Sequence, residues 1–280
     1  MSKVLGIIAE YNPFHNGHLL HLTKSKEETG AEYSICIMSG NFVQRGNTSI
    51  VNKWVKTEMA LKSGIDLVLE LPTVYSISSA ENFASGAIKI LDSLGIVDFV
   101  AFGSECSDIS ILQQVTDVLA SEPPEYKTLL SHELDKGVSF PKARERALMM
   151  YLNDVRRFAN VLSSSNNILG IEYLKALKRQ KSIIQPITIK REGNNYNDNT
   201  IPTDSQFASA IRKLCASHNS DILQRFMPEA SYKILNDAME NGNIVKDISD
   251  FDEIIIYTLR KMSTDEIANL PDVSEGLEFA

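Results

Sequence analysis

Cysteine is scarce in this chain of 280 residues, and Cys36, Cys106 and Cys215 are odd in number and far apart. That argues against a disulfide framework or a cysteine-held metal cluster and for reduced thiols in a cytoplasm. Long apolar runs are also missing. The stretch from Ile65 to Leu71 is broken by Asp66 and Glu70, so no membrane span is expected. Met1-Ser2-Lys3 leads straight into a strand-like segment, and no cleavable leader is read there. The patterns Gly-x4-Gly-Lys-Ser/Thr and Gly-x-Gly-x2-Gly are absent, which leaves P-loop hydrolysis and dinucleotide redox chemistry without support. A basic excess is lacking too. Residues 221–280 hold 13 acidic and 5 basic side chains, and the first 220 hold 23 of each. Polynucleotide binding is therefore permitted but not indicated by charge, although 142–157 and 175–191 are locally basic.

What is present begins with histidine. Three of the five histidines fall within the run Glu10-Tyr11-Asn12-Pro13-Phe14-His15-Asn16-Gly17-His18-Leu19-Leu20-His21. The run follows an apolar segment, 4–9, that reads as a buried first strand, and after His18 a helical pattern resumes. A strand, a turn and a helix in that order aim backbone N–H groups and a positive dipole end at an anion. Two imidazoles there can hydrogen-bond phosphate oxygens as charge builds on them, so the expected chemistry is attack at a nucleotide phosphate. Gly17 lets the backbone approach without a Cβ in the way. His21 suggests a His-x2-His-x2-His metal site or plain helix surface. With no acidic ligand at metalloprotease spacing, the surface reading is preferred and no metal ligand is assigned.

Strand-like runs at 4–9, 33–38, 67–71 and 97–102 alternate with helical patterns at 17–28, 53–63, 80–94 and 109–120. This alternation predicts an α/β fold, a Rossmann-like, doubly wound parallel sheet covered on both faces. Ligands of such sheets bind at the carboxyl ends of the strands, at a topological switch point. Further on, 142–158 and 168–178 read as helices, 183–189 as one more strand, and a helix begins near Ser205. From about Ala216 the chain reads as acidic amphipathic helix, with Ile222, Leu223 and Phe226 on one face. Two regions are expected, a nucleotide-binding catalytic domain over 1–215 and a helical C-terminal region over 216–280.

His-x-Gly-His between a first strand and a helix resembles the nucleotidyltransferase superfamily, as does Phe207-Ala208-Ser209-Ala210-Ile211-Arg212, a helix start ending in Ile-Arg. The longer run, with Ile37-Met38-Ser39-Gly40-Asn41-Phe42-Val43-Gln44-Arg45-Gly46, is similar to one family, the bacterial tRNA(Met) cytidine acetate ligases. Asp66-Leu67-Val68-Leu69-Glu70-Leu71-Pro72, Ala101-Phe102-Gly103-Ser104-Glu105, Asn166-Asn167-Ile168-Leu169-Gly170, Ile189-Lys190-Arg191-Glu192 and Val273-Ser274-Glu275-Gly276-Leu277-Glu278 extend the resemblance. Two departures stand out. The segment from Ser209 to Arg212 is two residues shorter than the family pattern, and the C-terminal region is expected to be incomplete relative to the family.

The resemblance implies a two-step reaction. Acetate attacks the α-phosphate of ATP to give acetyl-adenylate, and the wobble cytidine amine of elongator tRNA(Met) then takes the acetyl group. Magnesium would accompany the ATP, held mostly by phosphates and water. Catalytic roles fall to His15 and His18. ATP contacts are carried over to Gly6, Ile7, Ile8, Ala9, Glu10, Tyr11, Asn12, Pro13, Phe14, His15, Asn16, Gly17, His18 and Leu19, and to Gly103, Asn166, Asn167, Arg191, Ser209 and Arg212. Several of these have a plainer alternative. Asn12 and Pro13 shape the turn or touch the nucleotide, Gly103 ends a strand or lies against adenine, and Asn166 or Asn167 caps a helix or binds nucleotide. Arg191 and Arg212 offer guanidinium forks to phosphate, with a solvated helix arginine the alternative for Arg212. Ser209 caps its helix or donates to phosphate. Arg45 and Lys53 meet RNA backbone or are ordinary surface charge. Phe42, Trp54 and Tyr75 stack on bases or, as the preferred reading, belong to the core. The competing functions are a small-molecule adenylyltransferase and a non-catalytic nucleotide- or RNA-binding homologue.

Overall fold

The computed structural model describes residues 2–190, 211–212, 214–215, 223–245, 248–270, 273 and 276–279. Five parallel strands form one sheet in the order β3-β2-β1-β4-β5: β1 (Val4–Ala9), β2 (Tyr33–Ser39), β3 (Leu67–Leu71), β4 (Phe99–Ser104) and β5 (Gln185–Lys190). The expected doubly wound sheet is therefore found. Strand order reverses between β1 and β4, whose register pairs Leu5 with Phe99 and Ile7 with Ala101. The switch point lies where β1 delivers the histidine turn.

Alternation along each strand supplies two faces. Ile35, Ile37, Val100 and Phe102 face a core built on helices α4 (Ala80–Ser93), α5 (Ile109–Ser121) and α9 (Ser165–Gln180). Cys36, Met38, Leu5, Ile7 and Ala101 face the opposite core, with Leu22 of α1 (Asn16–Thr29) and Met59 and Ala60 of α2 (Lys53–Lys62). Helix α4 shows why such a helix forms. Ser79 caps it by accepting from the Asn82 N–H, and Phe83, Ala84, Ala87, Ile88 and Leu91 recur at helical spacing on its buried face. A short α3 (Thr73–Ser76) follows β3.

Two expectations change in the helical half. A helix α6 (Pro124–Asp135), opened by proline in its first turn, precedes α7 (Phe140–Tyr151) and was not read from the sequence. The single helix expected over 142–158 is broken. Asn153 turns left-handed at φ 51° and Asp154 caps a new short helix, α8 (Val155–Phe158), by accepting from the Arg157 N–H.

The first compact unit runs to Ile244, beyond the boundary expected at residue 215. Ile211, Cys215, Leu223, Met227 and, from α10 (Glu229–Glu240), Leu235 are buried in the α1/α2 core, which is why the chain past 215 belongs to it. The second unit, Val245–Ala280, contains helices Asp252–Lys261 and Thr264–Ala268, the latter opened by a reciprocal Ser263–Glu266 cap. Among the described residues no helix is long and apolar enough to cross a membrane.

Candidate functional site

The turn between β1 and α1 is built by the two histidines themselves. His15 is the N-cap residue of α1 and is buried; its Nδ1 accepts from the Gly17 N–H at 3.1 Å. The His15 N–H in turn donates to Nδ1 of His18 at 3.2 Å. The rings stack, with centroids 3.6 Å apart and planes 21° from parallel. This is a capping box with imidazoles in place of hydroxyl and carboxylate. Both Nδ1 atoms act as acceptors, so in the neutral rings the proton sits on Nε2.

One expectation is corrected here. The first-turn N–H groups of α1 do not all await an anion. Asn16 N–H donates to the Phe226 carbonyl at 2.9 Å, Gly17 N–H to His15, and His18 N–H to the His15 carbonyl at 2.9 Å.

Around the histidines the turn is held hard. Tyr11 has φ 44°, a left-handed backbone rare for so large a residue, and it is fixed by ring contacts to Phe14 at 4.7 Å and His18 at 4.8 Å. The Asn12-Pro13 peptide bond is cis. Asn12 is buried and its side chain serves the neighbouring loop: Oδ1 accepts from Ile50 N–H at 2.8 Å and Ser49 Oγ at 3.3 Å. The turn-shaping alternative therefore describes its side chain. Glu10 accepts from the Gln44 N–H at 2.9 Å, and Asn16 donates from Nδ2 to the Arg225 carbonyl at 3.1 Å.

Arg212 is brought to this turn from 200 residues away. Its Nη1 donates to the Asn12 carbonyl at 3.0 Å, and burial holds its pKa below the ordinary arginine value, with Glu10 acting the other way. The sequence alternative of a solvated arginine does not describe it. Arg191 and Ser209 lie outside the described residues, as does the side chain of Arg45.

Other carried-over residues sort by depth. Ile7 is buried in one core and Ile8 packs on the other, with Leu19 against the first. At Gly6 a Cβ would stand 2.9 Å from Leu91 Cδ1 and 3.2 Å from Val97 Cγ1, so glycine is needed there for strand–helix packing. Gly103 lies near the end of β4, paired with Ile189 of β5. Asn166 and Asn167 do not cap α9, whose N-cap is Ser164. Asn167 is buried, and its Oδ1 accepts from Glu105 N–H at 3.0 Å and Cys106 N–H at 3.1 Å. Asn166 Nδ2 and Asn167 N–H both donate to the Glu105 carboxylate, at 2.7 and 3.0 Å. Together they brace the loop after β4, beside the histidine turn.

On the β2 side, Lys53 pairs with Glu70 at 2.6 Å, and its backbone N–H donates to Asn41 Oδ1 at 2.8 Å. Sequence reasoning passed over Lys56. It is fully buried and its Nζ donates to the carbonyls of Ser39 at 2.8 Å and Gly40 at 3.1 Å. Burial pulls its pKa down to about 8, with Glu10, Cys36 and Glu70 acting the other way. A signal existed, because Lys56, Met59 and Ala60 form the i, i+3, i+4 buried face of α2 with a lysine in first place. Among the described residues no three His, Cys, Asp or Glu side chains converge as metal ligands. A cavity of about 280 Å³ lined by Leu91, Val97, Lys181 and Ile184 lies among residues ahead of β4 and β5, apart from this chemistry.

A parallel sheet whose β1–α1 turn is closed by a His-x-Gly-His cap, at the β1/β4 switch point, defines a nucleotidyltransferase-type domain. The model of the HIGH Nucleotidyl Transferase family matches residues 2–280. The tRNA(Met) cytidine acetate ligase of Acetivibrio thermocellus is 50% identical over 280 residues, covering 99% of this chain and 68% of that protein. The corresponding ligase of Clostridium novyi is 48% identical over 276 residues, covering 98% and 68%. The crystal structure of Thermotoga maritima TmcAL bound with alpha-thio ATP superposes with a TM-score of 0.87 at 39% identity, covering 99% of this chain and 66% of that one. The chain belongs to the tRNA(Met) cytidine acetate ligase family and spans about two thirds of the length of these relatives.

Proposed function

We propose that this protein is an ATP-dependent ligase that acetylates the wobble cytidine of elongator tRNA(Met) through acetyl-adenylate. The observation that carries the reading is the reciprocal His15–His18 cap, with Arg212 fastened to the same turn. In the first step an acetate oxygen attacks the α-phosphorus, the bond to the bridging β-phosphate oxygen breaks, and pyrophosphate leaves. Negative charge grows on the α- and β-phosphate oxygens. The Nε2–H donors of His15 and His18 meet that charge, and their hydrogen bonds strengthen toward the transition state, which is where stabilisation accelerates the step. Because both Nδ1 atoms are occupied by backbone N–H groups, the rings reach this geometry without reorganising. The Arg212 guanidinium adds a fixed positive charge next to Asn12.

In the second step the cytidine N4 amine attacks the acetyl carbon, AMP leaves, and the amine loses one proton. No covalent acyl-enzyme is required. Magnesium accompanying the ATP would be held mostly by phosphate oxygens and water and would neutralise charge on the phosphates. A cytoplasmic setting follows from tRNA as substrate.

The test uses two assays on the full chain. Acetate-dependent exchange of pyrophosphate into ATP reports the first step, and mass spectrometry of tRNA(Met) incubated with ATP and acetate reports the second. In His18→Ala the exchange should fall by about 100-fold or more while circular dichroism stays native, the scale lost with one preorganised transition-state donor. Unchanged exchange in a folded His18→Ala protein would refute the role. Exchange that needs a mononucleotide or phosphopantetheine in place of acetate would make it a small-molecule adenylyltransferase.

A further inference from the structure

We propose that Trp54, at the rim of the sheet's carboxyl edge, is the stacking platform for an unpaired base of the acceptor RNA. The inference rests on the tRNA-ligase reading above and adds a surface to it. Trp54 is the only tryptophan in the chain, and 73% of it is exposed. Burying a ring of that size is strongly favourable, so an exposed one on an otherwise well-packed element is informative. The expectation that it joins the core is corrected.

The ring is not exposed through slackness. It sits in the first turn of α2, where Asn52 accepts from both the Trp54 and Val55 N–H groups, at 3.0 and 3.1 Å. The adjacent Lys53 is held at its backbone by Asn41 and at its ammonium by Glu70. That ammonium also lies 5.6 Å from the Trp54 ring centroid, a cation–π contact. A rigid backbone thus presents a large π-surface to solvent with a cation beside it. Both features suit a nucleobase attached to a phosphate chain, and stacking of this kind tolerates any base.

Position ties the surface to the reaction. Helix α2 begins at the carboxyl edge of β2, the strand next to β1, so Trp54 shares an edge with the histidine turn. The intervening loop is fastened to that turn through Ile50 to Asn12 and Gln44 to Glu10. Glu70, which holds the Lys53 ammonium, comes from β3, and Val74 of α3, the helix that follows β3, is 72% exposed. An RNA loop lying on this edge would reach Trp54 from the β3 side while the nucleotide occupies the β1/β4 side.

Because Trp54 is the sole tryptophan, its emission reports this ring alone. The full chain is titrated with an anticodon-arm hairpin carrying an unpaired loop, and with a fully paired duplex of the same sequence. The hairpin should quench Trp54 emission and the duplex should not. In steady state, Trp54→Ala should raise KM for tRNA(Met) about 5- to 150-fold, the range of one lost base stack. KM for ATP in the pyrophosphate-exchange assay should hold, and Trp54→Phe should recover much of the tRNA KM. Unaltered emission, equal quenching by duplex, or an unchanged tRNA KM in Trp54→Ala would each overturn the proposal. So would emission that varies with protein concentration alone, joined to loss of a dimer in Trp54→Ala, since that assigns the face to a second copy. Absence of acetate-dependent exchange in the unaltered protein would instead sink the ligase reading.

Discussion

Lys56 carries a charge where water does not reach, and that makes the pH dependence of stability calculable. Its ammonium is fully buried, and its pKa falls from the ordinary 10.5 to about 8 because burial disfavours the charged form. For a cation with a depressed folded-state pKa, the unfolded chain binds the proton more tightly. The penalty is complete below about pH 8 and disappears as pH rises toward 10.5. Between those limits the unfolded state holds more protons than the folded state, so stability rises with pH. At about 1.4 kcal/mol per pH unit, the gain attributable to Lys56 between pH 7 and pH 10 is about 2 to 3 kcal/mol. Other titrating groups contribute over the same range, so the quantity to measure is a difference. Urea unfolding of the unaltered chain and of Lys56→Met at intervals from pH 7 to pH 10 provides it. The unaltered chain should gain the stated amount relative to the variant. The variant should be the less stable of the two at pH 10, because the Ser39 and Gly40 carbonyls then lose the Lys56 donor for no relief of charge. Parallel stability curves across that pH range would refute a buried, charge-bearing Lys56.

Two further substitutions separate scaffold from ligand contact. Gly6→Ala drives a methyl to within 2.9 to 3.2 Å of Leu91 and Val97, and should destabilise by about 1 to 3 kcal/mol in urea unfolding. Native stability with a raised KM for ATP would instead make Gly6 a nucleotide contact. Asn167→Ala leaves the Glu105 and Cys106 N–H groups without their acceptor and should cost about 1 to 3 kcal/mol, read from the same denaturation midpoint. A neutral effect would mean that the loop after β4 is held by other means.

The sheet was legible because its strands announce themselves locally. The expected spans 4–9 and 67–71 coincide with β1 and β3. The expected starts at 97 and 183 fall two residues early for β4 and β5, for a physical reason. Val97 and Ile184 are apolar and buried, yet they lie ahead of the hydrogen-bonded ladder and fill the end of the core, and Ile183 is almost fully exposed. Burial extends past the ladder at Val97 and Ile184, while Ile183 is apolar without being buried, so apolar character alone places both starts too early. Helix α6 escaped notice because only Tyr126 and Glu133 of its side chains are buried, too few to write a period.

The site divides along the same line, between contacts made within a few residues and contacts made across the chain. His15, Gly17 and His18 cap one another over four positions, so the run that specifies the turn also reveals it. Asn12, Asn167 and Lys56 act on backbone groups 16 to 62 positions away, and Arg212 reaches back 200. Nothing in their immediate neighbours separates an asparagine that braces a loop from one that caps a helix. Trp54 was misjudged for the converse reason. Aromatic content predicts core on average, but the cap at Asn52 and the ion pair at Lys53 fix the helix start so that this ring faces out. The residues that sequence alone placed worst are thus the ones whose geometry is imposed from elsewhere in the fold. Asn12 and Arg212 among them bear directly on the turn that sequence placed best, which is the expected pattern when a local motif needs non-local contacts to hold it still.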